Sequence, residues 1–136
     1  QTEEIIIKLK SLEVLCGSTR NPKIKIVVEY RGKEMECSES GNGPVDSIFK
    51  AINRLVKNNA KLELFLINAV TKGTDAQAEV TVRLNEDGIS VNGLASDTDT
   101  MVASANAYIF ALNKLIFKRK KKISGLNLST KKNKLI

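Results

Sequence analysis

The order of apolar and polar positions along this chain predicts three strands and a helix, and then the same series again. Residues 8–16 alternate in part between apolar and polar positions and end at Gly17, which indicates a strand followed by a turn. Residues 23–30, rich in Ile and Val, meet residues 33–38 across Arg31-Gly32, as in a tight hairpin. Beyond a glycine-rich break, apolar residues recur at helical spacing, and Pro44 suits the first helical position. The first unit (about residues 8–58) therefore has predicted strands at 8–16, 23–30 and 33–38 and a predicted helix from Pro44 to about Asn58.

The second unit (about residues 62–118) repeats both the order of elements and parts of the sequence. Ala51-Ile-Asn-Arg-Leu-Val56 reappears sixty positions later as Ala111-Leu-Asn-Lys-Leu-Ile116, and Gly17-Ser-Thr19 falls on Gly73-Thr-Asp75. Two copies of one unit commonly pack about a pseudo-dyad, which brings equivalent loops together. The prediction is an α+β fold of two pseudo-repeated β-β-β-α units, with antiparallel sheets that carry helices on one face. Predicted elements of the second unit are strands at 62–71, 77–85 and 89–94 and a helix from Thr98–Thr100 to about Lys118.

Composition excludes several kinds of chemistry. The 136 residues include no His, and Cys16 and Cys37 are far apart in sequence. A typical zinc site and a Ser-His or Cys-His nucleophile are therefore not expected, and the cysteines are interpreted as small strand residues in a reducing cytoplasm. No apolar run approaches the length that spans a bilayer, and two acids precede Ile5-Ile-Ile7, so we expect neither a membrane anchor nor an export signal.

The formal net charge of +7 comes from one end of the chain. Eight basic residues and no acids lie from Lys118 onward, which leaves 14 positive and 15 negative charges in residues 1–117. The segment 119–136 lacks apolar periodicity and is predicted to be a basic, disordered tail. Because the body is neutral and aromatic residues make up only 4%, we do not expect nucleic-acid binding.

Three polar motifs could bind a ligand. Glycines and free N–H groups at the start of a helix attract a carboxylate, aspartates accept an ammonium group, and an apolar strand face accommodates an apolar side chain. Taken singly, each motif is better explained as an ordinary turn or a helix N-cap than as a ligand site. Together they are the complement of a zwitterion with an apolar side chain. The motifs are Gly41-Asn-Gly-Pro-Val-Asp46, Gly73-Thr-Asp-Ala-Gln77 and Ser96-Asp-Thr-Asp-Thr100, with Leu62, Phe65 and Ala69 as the apolar wall.

These motifs, with Ala103-Ser-Ala-Asn-Ala-Tyr108 and Ala111-Leu-Asn113, occur in an order and at spacings that resemble the C-terminal regulatory domain of 2-isopropylmalate synthase over about residues 8–118. In that family a TIM barrel, which uses a divalent metal, condenses acetyl-CoA with 2-oxoisovalerate in leucine biosynthesis. The regulatory domain binds L-leucine and inhibits the enzyme. The resemblance implies a cytoplasmic, dimeric regulatory domain that lacks the barrel, has no cofactor or metal of its own, and is not catalytic alone.

The resemblance also implies which residues contact the effector. Phe65 stands where the family has a tyrosine, so a hydroxyl contact at that position is not expected. The effector residues carried over are Gly41, Gly43, Asp46, Leu62, Phe65, Ala69, Ala76, Thr98 and Thr100.

Three other readings fit the sequence. The domain could sense isoleucine, as the regulatory domain of citramalate synthase does, because the two ligands differ only in the position of one methyl branch. Such a difference is worth only about 1–3 kcal/mol of discrimination. It could also be a ligand-free dimerisation module, since sheet edges and a small-residue helix face favour self-association. Nucleic-acid binding by the tail would give a steep salt dependence that disappears when residues 118–136 are removed.

Overall fold

A computed structural model describes residues 5–15 and 23–134, with side chains as far as Lys120 except at position 72. It confirms the α+β class and the repeated β-β-β-α order, while the Gly17-Ser-Thr19 match lies outside the described residues. The elements are β1 (Ile7–Leu15), β2 (Lys23–Tyr30), β3 (Lys33–Ser40), α1 (Pro44–Leu55), β4 (Lys61–Lys72), β5 (Asp75–Glu86), β6 (Ile89–Asp97) and α2 (Thr100–Lys134).

Each unit forms its own antiparallel sheet, in the order β1-β2-β3 and β4-β5-β6. The β2–β3 and β5–β6 turns are equivalent two-residue turns, in which both residues have positive φ: Arg31 (53°) and Gly32 (80°), and Asp87 (53°) and Gly88 (82°). Two positive φ values define the turn that matches the twist of the flanking strands. The structure therefore confirms the Arg31-Gly32 hairpin and its counterpart 56 positions later.

The two helices lie between the two sheets. Helix α1 packs on β2 and β3, and α2 packs on β5 and β6 while its opposite face reaches β1 of the other unit. We call the face of each sheet that meets the helices its helix side. The core is built from the helix sides and from both faces of α2, and its largest fully buried side chains are Ile7, Ile24, Ile26, Ile48, Ile52, Leu84, Ile109, Leu112 and Leu115.

The helices run parallel to each other. Phe49 of α1 stacks on Tyr108 of α2 with ring centroids 4.4 Å apart. Seven residues further along each helix, Val56 and Leu115 line the same cavity. Because both helices pass these two contacts in the same order, they run in the same direction. The N-termini of both helices therefore lie at the same end of the molecule.

Two asparagines at equivalent positions of the repeat join each helix to the other unit. The buried Asn113 side chain accepts hydrogen bonds from the backbone N–H groups of Ile6 (3.1 Å) and Ile7 (2.8 Å) and donates to the Ile7 carbonyl (3.0 Å). Asn53 acts through Asn58, which donates to Asn53 Oδ1 (3.0 Å) and accepts from the N–H of Ala60 (3.0 Å). Each helix thus fixes the segment that leads into the first strand of the opposite unit.

Helix α2 lies directly on β6 at a glycine. A Cβ atom at Gly93 would stand 2.0 Å from the Ala107 carbonyl oxygen and 2.6 Å from the Ala111 nitrogen. Ala103, Ala107 and Ala111 are fully buried on the helix. The alanine-rich face noted in the sequence therefore serves a close approach of the helix backbone to the sheet.

The length of α2 differs from the sequence prediction, because its backbone is helical to Lys134 rather than to about Lys118. No proline interrupts residues 118–134, so the backbone can remain helical through this stretch. Residues Thr100–Lys120 are long and apolar enough to cross a membrane by length and composition, but 61% of the most apolar window is buried. A largely buried helix of this kind is typical of a protein core.

We predict that Gly93→Ala destabilises the fold strongly, because the added methyl group meets helix backbone that cannot move without shifting α2. Overpacking of a core costs about 1–3 kcal/mol, and contact with backbone places this change at or above the upper end. Thermal and urea unfolding would measure it. Leu94→Ala, on the same strand but 55% exposed, should stay within about 0.5 kcal/mol of the unmodified protein. Equal stability of the two variants would contradict the close approach.

Candidate functional site

Most of the predicted effector residues lie at the end of the molecule where both helices begin. Gly41 and Gly43 precede α1, and Thr98 and Thr100 stand at the start of α2. The β4–β5 turn reaches the same end, because Ala78 of β5 pairs with Asp97, the last residue of β6. Parallel helices and sheet register therefore bring together loops that are far apart in sequence.

The N-terminus of α1 has no side-chain cap. Gly43 is its N-cap residue in an extended conformation (φ −176°), and no side chain accepts a hydrogen bond from the first turn. The nearest carboxylate, Asp46, turns back to accept the N–H of Asn42 (3.2 Å) and pairs with Lys50 (3.4 Å). The first-turn N–H groups of α1, with the positive end of its dipole, therefore offer a place for an anion.

The N-terminus of α2 is capped and acidic. Asp99 accepts the backbone N–H groups of Met101 (2.8 Å) and Val102 (3.4 Å), and Asp97 accepts that of Asp99 (2.8 Å). Thr98 Oγ1 lies 3.5 Å from Asp97, and the Thr100 carbonyl accepts the Ser104 hydroxyl (2.8 Å). Two neighbouring helices thus present different chemistry at one end, an uncapped donor set on α1 and carboxylates on α2.

The helix side of β4 supplies an open apolar surface beside these loops. Phe65 pairs with Val82 on the helix side and meets Phe49 edge to face, with centroids 5.7 Å apart. Two exposed residues follow Phe65 on this face of β4 in the direction of the helix N-termini: Ile67, which is 46% exposed, and Ala69. We call this surface, formed by Ile67 and Ala69 with the Phe49–Phe65 pair beside them, the groove.

Sequence reasoning missed Ile67, although the signal was present. Residues two apart on a strand share a face, so Ile67 belongs to the series that includes Phe65 and Ala69. The register also places Ala78 and Asp97 in one row with Ala69. This row joins the apolar wall to the carboxylates at the start of α2.

Two predicted residues stand away from the centre of this groove. Leu62 is on the helix side but pairs with Leu84, three rows from Ala69, or about 20 Å at strand spacing. Phe65 lies between them. Ala76 pairs with Thr71 near the tip of the β4–β5 hairpin and is exposed. The structure therefore separates Leu62 from the helix starts more than the other predicted residues.

Two cavities lie at the opposite end of the helices. One of about 220 Å³ is lined by Tyr30, Arg31, Val56 and Leu115, among others, and an adjoining one contains the ion pair of Arg119 with buried Glu86. We give the groove at the helix starts more weight than these cavities, because it alone combines free N–H groups, carboxylates and an apolar wall. Among the described side chains, no group of three His, Cys, Asp or Glu could hold a metal ion.

Tyr108 stands under the groove and links the helices. Its ring stacks on Phe49, and its hydroxyl donates to Asn53 Oδ1 (2.8 Å). Burial raises the pKa of the phenol, and the hydrogen bond to Asn53 opposes part of that rise. Because the phenol stays protonated through neutral pH, its donation to Asn53 holds the two helices together next to the Phe49–Phe65 pair.

Cys37 lies on β3, half-buried, as expected for a small strand residue, and Cys16 lies outside the described residues. Burial raises the pKa of the Cys37 thiol, an effect that Arg54 opposes and Glu39 reinforces. A raised pKa lowers the thiolate fraction, so Cys37 is not activated as a nucleophile.

Comparison with known proteins gives one family and a consistent set of relatives. Residues 1–116 match the sequence model of the LeuA allosteric (dimerisation) domain. The chain is 48% identical over 118 residues to a 2-isopropylmalate synthase of Bradyrhizobium sp. (strain BTAi1 / ATCC BAA-1182), covering 87% of this chain and 23% of that protein. It is 50% identical over 113 residues to a 2-isopropylmalate synthase of Chromobacterium violaceum, covering 83% and 22%. The chain thus spans between a fifth and a quarter of the length of these relatives.

We predict that Tyr108→Phe lowers the free energy of unfolding by about 1 kcal/mol, the usual net contribution of one hydrogen bond. The pH dependence gives the sharper test. With its pKa raised in the folded state, Tyr108 contributes stability that is complete below the unfolded value of about 10 and is lost as pH rises above it. Urea unfolding between pH 8 and pH 11 should therefore show a smaller decline for Tyr108→Phe than for the unmodified protein, and parallel curves would contradict this role.

Proposed function

Because the chain belongs to the LeuA allosteric (dimerisation) domain family, we propose that it is the regulatory domain of a 2-isopropylmalate synthase, where it binds L-leucine and thereby inhibits the enzyme. The relatives carry that enzyme's name. In this proposal the condensation of acetyl-CoA with 2-oxoisovalerate, and any divalent metal it uses, belong to a separate catalytic barrel, and the domain is not catalytic by itself. It acts in the cytoplasm, and two copies associate.

The contrast between the two helix starts is the observation that carries the proposal. The uncapped N-terminus of α1 suits an α-carboxylate, and the carboxylates of Asp97 and Asp99 at the start of α2 suit an α-ammonium group. An amino-acid zwitterion carries a carboxylate and an ammonium group on one carbon, so it complements a donor set and carboxylates that lie on adjacent helices.

The groove on β4 supports an aliphatic side chain on that zwitterion. Ile67 and Ala69 form it, and the Phe49–Phe65 pair lies beside them. All four are apolar, and the absence of a hydroxyl at Phe65 removes a polar partner there. A branched aliphatic chain of four carbons gains from such a surface at about 25 cal/mol for each Å² removed from water.

Leucine is proposed before isoleucine because the relatives are 2-isopropylmalate synthases. Isothermal titration of the purified domain with each amino acid tests both. Tighter binding of L-leucine supports the proposal, tighter binding of L-isoleucine supports the citramalate synthase alternative, and binding of neither supports a ligand-free dimerisation module.

Gly43→Asp should weaken L-leucine binding by at least about a hundredfold while the fold is retained. Aspartate is a strong N-cap residue, so its carboxylate would accept the N–H groups proposed for the ligand and repel the ligand carboxylate. Loss of a charge-assisted hydrogen bond alone costs about 1.5–3 kcal/mol. A Cβ at Gly43 meets no atom within 4 Å and the backbone is extended, so the substitution causes no clash. Calorimetry and circular dichroism would measure affinity and fold.

Two matched variants separate charge from other effects. Gly43→Ala adds a Cβ without a carboxylate and should weaken binding less than about tenfold. Lys57→Asp adds the same acid at the exposed opposite end of α1 and should bind normally. In a full-length parent, Gly43→Asp should give an enzyme that is active but no longer inhibited by leucine. Unchanged leucine affinity in Gly43→Asp would place the carboxylate elsewhere.

The C-terminal segment should be dispensable for this function. Among the described side chains of α2, which end at Lys120, the last buried ones are Leu115 and Ile116, and the family match ends at 116. Deletion of residues 123–136 should therefore leave the melting temperature and leucine affinity almost unchanged, as measured by differential scanning calorimetry and titration. A fall of several degrees would show that this part of the chain packs on the body.

A further inference from the structure

We propose that two copies of this chain associate through the edge of strand β4, which pairs antiparallel with itself so that the two β4-β5-β6 sheets become one six-stranded sheet. This inference rests on the proposed self-association and adds the surface that carries it. The dyad passes through Ile67, perpendicular to the sheet, and residues 64–70 of each copy lie beside residues 70–64 of the other.

Strand β4 is the edge strand least protected against pairing. The described sheets have four edges, and charged side chains or a covering element protect an edge. Strand β1 carries Lys8, Lys10 and Glu13, and β3 carries Lys33, Glu34, Glu36 and Glu39. In β6, residues 89–96 are also uncharged, but the outer face is mainly polar, with Ser90, Asn92 and Ser96, and α2 covers the helix side. In β4, residues 64–70 contain no charge and no proline, and both faces carry exposed apolar side chains.

Apolar side chains project from both faces of this strand. On the helix side, Leu62 is 47% and Ile67 46% exposed, and on the outer face Leu66 is 47% exposed. The equivalent first strand of the other unit begins with Ile7, which is fully buried against α2. On β1 the exposed large apolar residues lie at the end of the strand, Val14 (37%) and Leu15 (52%), whereas on β4 they lie along the strand. An edge with two apolar faces is covered best by a second strand of the same pattern, which pairs the backbone and buries both faces.

The charges at the ends of β4 suit a self-complementary pairing. Glu63 stands near the start of the strand and position 72 at its end is a lysine. Antiparallel pairing about Ile67 brings the Glu63 end of one copy to the Lys72 end of the other, at both ends of the interface. The family's description as a dimerisation domain agrees with a second copy as the occupant.

Leu66→Lys tests the interface with little expected effect on the monomer fold, because the side chain already projects into solvent. It should raise the dimer dissociation constant at least about thirtyfold in analytical ultracentrifugation, as for the loss of an interface hot spot. Leu94→Lys is the matched control: the same change on the same outer face, at a residue 55% exposed on the opposite edge strand. It should leave the dissociation constant unchanged.

A cysteine at the dyad tests the register independently of stability. In a background with Cys16→Ser and Cys37→Ser, Ile67→Cys should form a disulfide-linked dimer on mild oxidation, since paired strand residues lie within disulfide range. Leu94→Cys in that background should not. A monomeric unmodified protein, a dimer that Leu66→Lys leaves intact, or failure of Ile67→Cys to cross-link would each overturn the proposal. Leucine titration of the same samples keeps the two proposals apart, because a monomer that binds leucine refutes only the interface.

Discussion

The structure depends on the contact between the backbone of α2 and Gly93 of β6. A Cβ at that position would overlap the Ala107 carbonyl, so the helix lies closer to the sheet than any other residue would allow. This close approach leaves the opposite face of α2, with Ile109 and Leu112, free to reach the first sheet. Helix α2 therefore contributes to the core of both units, while α1 covers β2 and β3. The buried carboxamide of Asn113 completes this arrangement, because it satisfies three backbone groups at the start of β1 that water cannot reach.

The parallel direction of the two helices follows from the repeat and determines where a ligand can bind. Antiparallel neighbours would place one N-terminus beside one C-terminus, and their dipoles would cancel locally. Here the N-termini of both helices, with the positive ends of their dipoles, lie at the same end of the molecule. The two units differ in which groups accept hydrogen bonds from the first-turn N–H groups. Helix α2 uses Asp99 as its cap, whereas α1 begins at Gly43 without one. The two repeats therefore share one arrangement of helix starts but differ in sequence there, which leaves free N–H donors on α1 and carboxylates on α2.

The sequence predicted the strands and the first helix to within a few residues, because periodicity and turn glycines are local signals. It predicted that the helix starts would come together, since a repeat implies a pseudo-dyad. It did not predict the close approach at Gly93, because a glycine within a strand pattern does not show what lies above it. The end of α2 was placed near Lys118 because apolar periodicity stops there, although the backbone remains helical to Lys134. The bulge between Leu62 and Leu64 places Leu62 on the same face as Phe65, which simple alternation would not predict, and the paired register shows that Leu62 lies far from the helix starts.

The exposed apolar surface near the helix starts lies on β4. Helix α2 packs on β1, where Ile7 is fully buried, whereas α1 contacts β4 through the edge-to-face pair of Phe49 and Phe65. Ile67 and Ala69 lie beyond that pair, toward the helix starts, and stay exposed. Removing the Phe49–Phe65 contact should therefore affect ligand binding more than it affects the core beneath α2. The core beneath α2 is built on β5 and β6, which α2 covers without help from α1.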